Sequence, residues 1–300
     1  MSKFKVVFTL KQHTPIIHFQ SQQSGATLRA TELKPKFDRF LIAIFEKKNI
    51  DYQGFLISGQ EGALDYKVKI EPNISPSQNI DERDALFFGN MGEGEDKRFK
   101  EINRPFKIEF FTFKSTLKEY INQYFEAFLA NTNFGTRQSK GFGSFYIDKK
   151  QLNTNLVQYR VYSFDTRNWK RDIGLLYQFL RQGLNLPNRE GTRFYSKPAI
   201  FSYAKSKGWT WDKKAIKQAY FNTTLNDQID ERSSDILMYS GDNSHLLRDL
   251  FGLSSSQEWK RPYGKTIEKT NADIERFKSP ITFKIVDDKV YFWADDSVGK

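Results

Sequence analysis

The stretch that most constrains this chain is STLKEYINQYFEAFLANTN and the segment FGTRQSKGFGSFYI that follows it directly. Read as a helix, the first piece puts Leu117, Tyr120, Ile121, Tyr124, Phe125, Phe128 and Leu129 on one apolar stripe, which must be buried against another element. Ser115 stands where a hydroxyl caps a helix. The glycines of the second piece end the helix, and FYI after them starts a strand.

The elements upstream complete a pattern. Phe4 to Leu10 alternate in the strand manner, and LKPKFDRFLIAIFEKK from Leu33 onward places Phe37, Phe40, Leu41, Ile44 and Phe45 at helical spacing, with Pro35 in the first turn. Leu64–Ile70 and Phe106–Phe113 read as two more strands. Strand, helix, strand, strand, helix, strand is the split βαβ order of a ferredoxin-like (RRM-type) domain. The expected fold is therefore α+β, with the first domain over residues 1–150. Glu71–Lys100, holding Pro72, Pro76, Gly89, Gly92 and Gly94, is expected to be a long insertion between strands.

Residues 151–300 are expected to form a second, more helical α+β domain. A strand over Leu156–Phe164 precedes a helix around Trp169–Gly183 whose Ile173, Leu176, Tyr177 and Leu180 share a face. Lys197–Phe221 carries two short helical patterns split at Gly208, His245–Leu253 carries another, and ITFKIV, Asp287-Asp288, KVYFWA reads as a closing hairpin.

Charge enters next. Lys and Arg number 47 against 36 Asp and Glu, a net +11 over 300 residues, and such an excess attracts polyanions. Nucleic acid is the first partner to consider, with a merely solvated basic surface as the alternative. There is no cysteine, which excludes disulfides, thiolate metal sites and a cysteine nucleophile and fits a cytoplasmic protein. No apolar run approaches the roughly 18 residues of a membrane span, so no membrane partner is expected. His13, His18 and His245 are the only histidines and none has HExxH spacing, so neither a metal nor another cofactor is expected.

Two basic clusters stand out. Gly135, Gly141 and Gly143 surround Arg137 and Lys140; glycine allows close backbone approach to a phosphate, and the cations neutralise it. An ordinary helix-to-strand connection explains the same glycines equally well. Arg29, Lys34, Lys36 and Arg39 bracket the entrance to the first helix, and the two clusters together are a candidate groove for ribose-phosphate. The plainer alternative for the second cluster is surface pairing with Glu32 and Asp38. His13 and His18 flank TPII, and either imidazole is a candidate general base toward an RNA 2′-hydroxyl.

The opening strand, TPIIHFQ, ATLRATELKPKFDRFL and GTRQSKGFGSFYI together resemble the RAMP superfamily of CRISPR-associated proteins. HLLRDLFGL and RFKSPITFKI are similar to patterns in larger type III members, so the second half is a candidate degenerate second RAMP domain. The resemblance implies an RNA-binding, structural subunit of a type III-like antiviral effector. Arg29, Lys34, Lys36, Arg39, Gly135, Arg137, Lys140, Gly141 and Gly143 would face crRNA or target RNA, and other effector subunits would be partners. It also implies an alternative, a metal-independent CRISPR RNA-processing endoribonuclease using His13 or His18. Two departures favour the structural subunit: Thr31-Glu32-Leu33-Lys34-Pro35-Lys36 replaces the small, glycine-rich helix entrance usual in the superfamily, and the glycine loop lies mid-chain rather than near the C-terminus, where processing nucleases carry it.

Overall fold

The structure is a computed structural model that describes residues 3–18, 24–79, 98–187, 191, 193–208, 236–238, 251, 256–259, 265–268 and 279–295. Contacts divide the chain into two compact units, Met1–Arg171 with Thr282–Asp295, and Asp172–Ile281 with the remaining C-terminal residues.

In the first unit, β1 (Lys5–Gln12), α1 (Ala30–Lys47), β2 (Lys67–Ile70), β3 (Phe106–Phe111), α2 (Ser115–Asn131) and β4 (Phe145–Ile147) follow one another. The strands form a four-stranded sheet in the order β2-β3-β1-β4, with every neighbouring pair antiparallel. Alternation assigns the faces. Leu10, Ile108 and Phe110 point into the core, where Leu33, Phe37, Leu41 and Phe45 of α1 and Leu117, Ile121, Phe125 and Phe128 of α2 meet them, all at most 1% exposed. Phe110 touches both helices: its ring lies 5.7 Å from that of Phe37 and 4.8 Å from that of Phe125. Each fully buried phenylalanine contributes roughly 2–3 kcal/mol through burial, so this aromatic centre holds both helices on one face.

Helix boundaries differ from the expectation in two places. α1 begins at Ala30, because Arg29 is extended and its carbonyl accepts the Leu33 N–H at 3.0 Å; Pro35 thus falls one turn deeper than expected, on an exposed flank. Ser115 is the first helical residue of α2 and caps nothing; Lys114 holds the cap position, its N–H bonded to Thr112 Oγ1 at 3.2 Å. The strand expected over Leu156–Phe164 shrinks to β5 (Tyr162–Asp165). Before it Thr154–Leu156 form a 3₁₀ turn, held by the Asn155 N–H on the Asn153 side chain and by Asn131 Nδ2 on the Leu156 carbonyl.

The insertion leaves the sheet through two short ladders, Gly25–Ala26 with Ile74–Ser75 and Gln78–Asn79 with Arg98–Phe99. Residues 80–97 between them lie outside the described residues.

The second unit begins at Asp172, inside α3 (Trp169–Arg181), which is followed by a hairpin of β6 (Leu184–Pro187) and β7 (Arg193–Ser196), then α4 (Ala199–Ser206). Ile173 and Tyr177 are buried on α3, and the Tyr177 hydroxyl donates to the Phe251 carbonyl at 3.1 Å. A second sheet joins β8 (Ile236–Met238), β9 (Ser256–Trp259) and β10 (Lys265–Glu268), with β10 in the middle. The helical pattern expected after Gly208 and, apart from Phe251, the one over His245–Leu253 lie outside the described residues.

The closing hairpin forms as expected, β11 (Ile281–Val286) and β12 (Lys289–Ala294), with Asp287 taking φ 48° at its turn. It pairs with β5, and from Thr282 onward it groups with the first unit, as β5 does. The physical reason is a set of polar ties. The fully buried Lys284 amine donates to the carbonyls of Thr132 at 2.8 Å and Phe145 at 2.9 Å, Asn133 Nδ2 donates to the Phe283 carbonyl, and Ser144 Oγ donates to the Ile285 carbonyl.

Candidate nucleic-acid interface

Three segments converge at one end of the sheet: His13–His18 after β1, the entrance to α1, and the loop from Asn133 to Ser144. The loop is stitched to the first segment by backbone bonds, Thr136 N–H to the Ile17 carbonyl (2.7 Å) and Gly143 N–H to the Pro15 carbonyl (2.8 Å), and it closes on itself through Phe134 N–H to the Gly143 carbonyl (2.9 Å). The buried Thr14 hydroxyl donates to the Gly141 carbonyl and accepts the Ser144 N–H.

The glycines are required by this packing. A Cβ on Gly143, at φ +65°, would sit 1.9 Å from the Phe134 carbonyl oxygen, and one on Gly135, at φ +75°, would sit 2.5 Å from that of Ile17. The amides are also spent internally: Gly135 N–H goes to Glu32 Oε1 at 2.6 Å, Gly141 N–H to the Gln138 carbonyl, and Gly143 N–H to the Pro15 carbonyl. The amides of the three glycines are thus all bonded within the protein.

Arg137 has an unusual backbone. Its φ of 56° and ψ of 33° are left-handed, a region that costs a residue with a Cβ about 1 kcal/mol and that Asn, Asp and Gly occupy far more readily. Among the described residues, the other two non-glycine residues with positive φ are Asn49 and Asp287. Arg137 and Lys140 are both half-buried. Burial lowers the Arg137 guanidinium pKa to about 10, which leaves it charged at neutral pH.

The helix-entrance cluster is split by the fold. Lys36 faces the loop: its amine pairs with Glu32 Oε1 at 2.9 Å, donates to the Asn133 carbonyl at 3.3 Å and lies 5.0 Å from the Phe134 ring centroid. Lys34 is turned the other way, bound to Asp38 Oδ2 (2.7 Å) and the Leu64 carbonyl (2.8 Å), over the Tyr66 ring. Both pairs have i,i+4 spacing, so the plainer expectation of Glu32 and Asp38 as partners describes Lys36 and Lys34 well. Arg39 is exposed, and its Nε donates to the Pro35 carbonyl. Arg29 lies by Gly25 and the buried Lys100: a Cβ on Gly25 would be 3.6 Å from Arg29 Nη2 and 3.7 Å from Lys100 Nζ.

Lys100 escaped the sequence reading because it sits at the far end of the insertion, brought back by a bridge between its backbone and that of Ile16. Burial, then the Arg29 charge, lowers its pKa. Thr14 and Lys284 were missed likewise, as was the bond from the Gly135 N–H to Glu32, since only tertiary contact gives them these roles.

Both histidines are internal. His18 is 8% exposed, its Nε2 donating to the Thr27 carbonyl at 2.8 Å, and burial lowers its pKa. The His13 side chain is 1% exposed; its Nδ1 accepts the Asp287 N–H at 3.0 Å, and burial, partly offset by the Asp287 carboxylate, brings its pKa down to about 4. Neither imidazole is presented to solvent in this structure. Among the described residues no group of His, Asp and Glu is arranged to hold a metal ion, and no helix is long and apolar enough to cross a membrane.

Two family models match this chain, the Cmr1 N-terminal domain over residues 3–184 and the Cmr1 C-terminal domain over residues 195–298. The class of protein is thereby the one the sequence resemblance implied, a RAMP-type CRISPR subunit. Within that class, the chain belongs to the Cmr1 family. Among solved structures it is similar to the apo crystal structure of Cmr1 from Pyrococcus furiosus, at 11% identity and TM-score 0.41, over 97% of this chain and 88% of that one. It is also similar to a chain of the type III-B Cmr-beta complex bound to cognate target RNA, at 14% identity and TM-score 0.33. That match spans 49% of this chain and only 59% of the other. None of the curated proteins compared with the chain matches it.

Proposed function

We propose that this chain is an RNA-binding structural subunit of a type III-like CRISPR effector, holding crRNA or target RNA by its backbone beside sister subunits in the cytoplasm. Membership of the Cmr1 family supports the assembly. The strand order β2-β3-β1-β4, with two helices sharing one face, supports a ferredoxin-like (RRM-type) first unit. A net charge of +11 supports the polyanion.

The observation that carries the reading is Arg137. An arginine held left-handed between glycines, where glycine itself would relieve the strain, supports a role for its side chain. With Lys140 on the same turn and Arg29 and Arg39 at the helix entrance, it supplies the charge for phosphates, while base pairing reads the sequence. The loop glycines shape this turn, and their contribution to RNA contact is to let its cations approach.

The test is photo-crosslinking of the full chain to RNA carrying 4-thiouridine, followed by peptide mapping. Crosslinks are expected within residues 133–144 and 24–39. Efficient crosslinking confined to other segments, or none, would overturn the proposal.

A further inference from the structure

The outer face of the four-stranded sheet carries its own charge pattern. Alternation turns Lys5, Val7 and Thr9 of β1, Lys67 and Lys69 of β2, and Lys107, Glu109 and Phe111 of β3 away from the helices. Register sets them in rows: Lys67 and Lys5 flank Phe111, Lys69 and Val7 flank Glu109, and Lys107 lies opposite Thr9. Glu109 is paired with Lys5 at 2.9 Å. Lys67, Lys69 and Lys107 are exposed, and among the described residues no carboxylate pairs with their amines. At the end of the face Phe113 is 75% exposed, its ring 4.9 Å from that of Phe111 and 5.4 Å from that of Phe4, and Val7 in the middle is 52% exposed.

We infer that this open sheet face is a second RNA surface, distinct from the loop, on which Lys67, Lys69 and Lys107 follow the phosphates of a single strand and Phe113 stacks a base at its end. The inference rests on the RNA-binding reading above and adds a separate track to it. Charge complementarity selects the occupant. Lysines along the β2 edge and at Lys107 of the neighbouring strand suit a phosphate backbone, and lysine is depleted in protein interfaces, whose cores are apolar. Here the apolar groups are Val7, set beside the Glu109 carboxylate, and an aromatic cluster confined to one end. An exposed ring beside unpaired amines is the combination that holds single strands without regard to sequence.

The full chain is titrated with unstructured single-stranded RNA, followed by anisotropy at several salt concentrations. The variant K67Q/K69Q/K107Q is expected to bind at least tenfold more weakly, with a salt slope smaller by up to about 2, since each single-strand phosphate contact adds about 0.7. F113A is expected to lose about tenfold with its slope unchanged. All four side chains are exposed, so matching melting curves are expected alongside. If R137A/K140A weakens binding while the face variants bind like the parent, the face is overturned and the loop reading stands. If the parent binds no RNA, both fall. If polyglutamate competes as well as RNA and F113A has no effect, the face is a site for acidic protein and the inference is overturned.

Discussion

Glu32 Oε1 accepts the Gly135 N–H at 2.6 Å across 103 residues of sequence, and the same oxygen holds the Lys36 amine at 2.9 Å. One carboxylate thus ties the entrance of the first helix to the start of the glycine loop. It also explains why a loop with three glycines keeps one shape. E32A should cost about 1–3 kcal/mol, because it strands the half-buried Gly135 amide and takes the carboxylate partner from the Lys36 amine, while E32Q, which keeps an acceptor oxygen, should cost less. Chemical denaturation of the two variants checks the order.

Gly143 has no room for a side chain. G143A would put a methyl group 1.9 Å from the Phe134 carbonyl oxygen at φ +65°, and should destabilise by about 3 kcal/mol or more or prevent folding. G59A, at φ +74° with open space around it, should cost only about 1 kcal/mol. Soluble yield and melting temperature of the two variants separate packing from backbone strain.

Arg137 makes the opposite prediction. R137G relieves a left-handed backbone, a gain of about 1 kcal/mol, but also gives up the contacts of a half-buried guanidinium, so stability should stay within about 1 kcal/mol of the parent while RNA binding weakens. Thermal melts paired with an RNA titration show whether stability and binding move apart.

His13 gives stability a pH dependence of known sign. Its pKa is about 4 when folded against 6.5 for a free imidazole, so the unfolded chain takes up the proton first as pH falls. The contribution is complete above about pH 6.5 and is lost down to about pH 4, about 3 kcal/mol in all. H13N, whose amide oxygen can accept the Asp287 N–H without titrating, should flatten that window in melts taken across it.

The order of strands and helices in the first unit was legible because its apolar periods are strong: Phe37, Leu41 and Phe45 on α1 and Ile121, Phe125 and Phe128 on α2 are all buried as their spacing demands. Caps were less legible, since Ser115 next to Lys114 offers two registers for one helix start. The hairpin was readable as a hairpin from its alternation, but not its address. Lys284 looks like a surface residue on an alternating strand, and its burial follows from the Thr132 and Phe145 carbonyls it reaches. The glycine loop was found by composition, whereas the internal use of its amides depends on Pro15 and Glu32, which no local pattern connects to it. Lys34 and Lys36, two residues apart, were one cluster in sequence and point to opposite flanks in the fold, as residues at that spacing on a helix do.

The most direct measurement is the salt dependence of RNA binding by the full chain and by R137A/K140A. Removing both cations is expected to weaken binding uniformly across RNA sequences and to lower the slope of log affinity against log salt by about 1 to 1.5. Equal affinity and equal slope for the two proteins would contradict it.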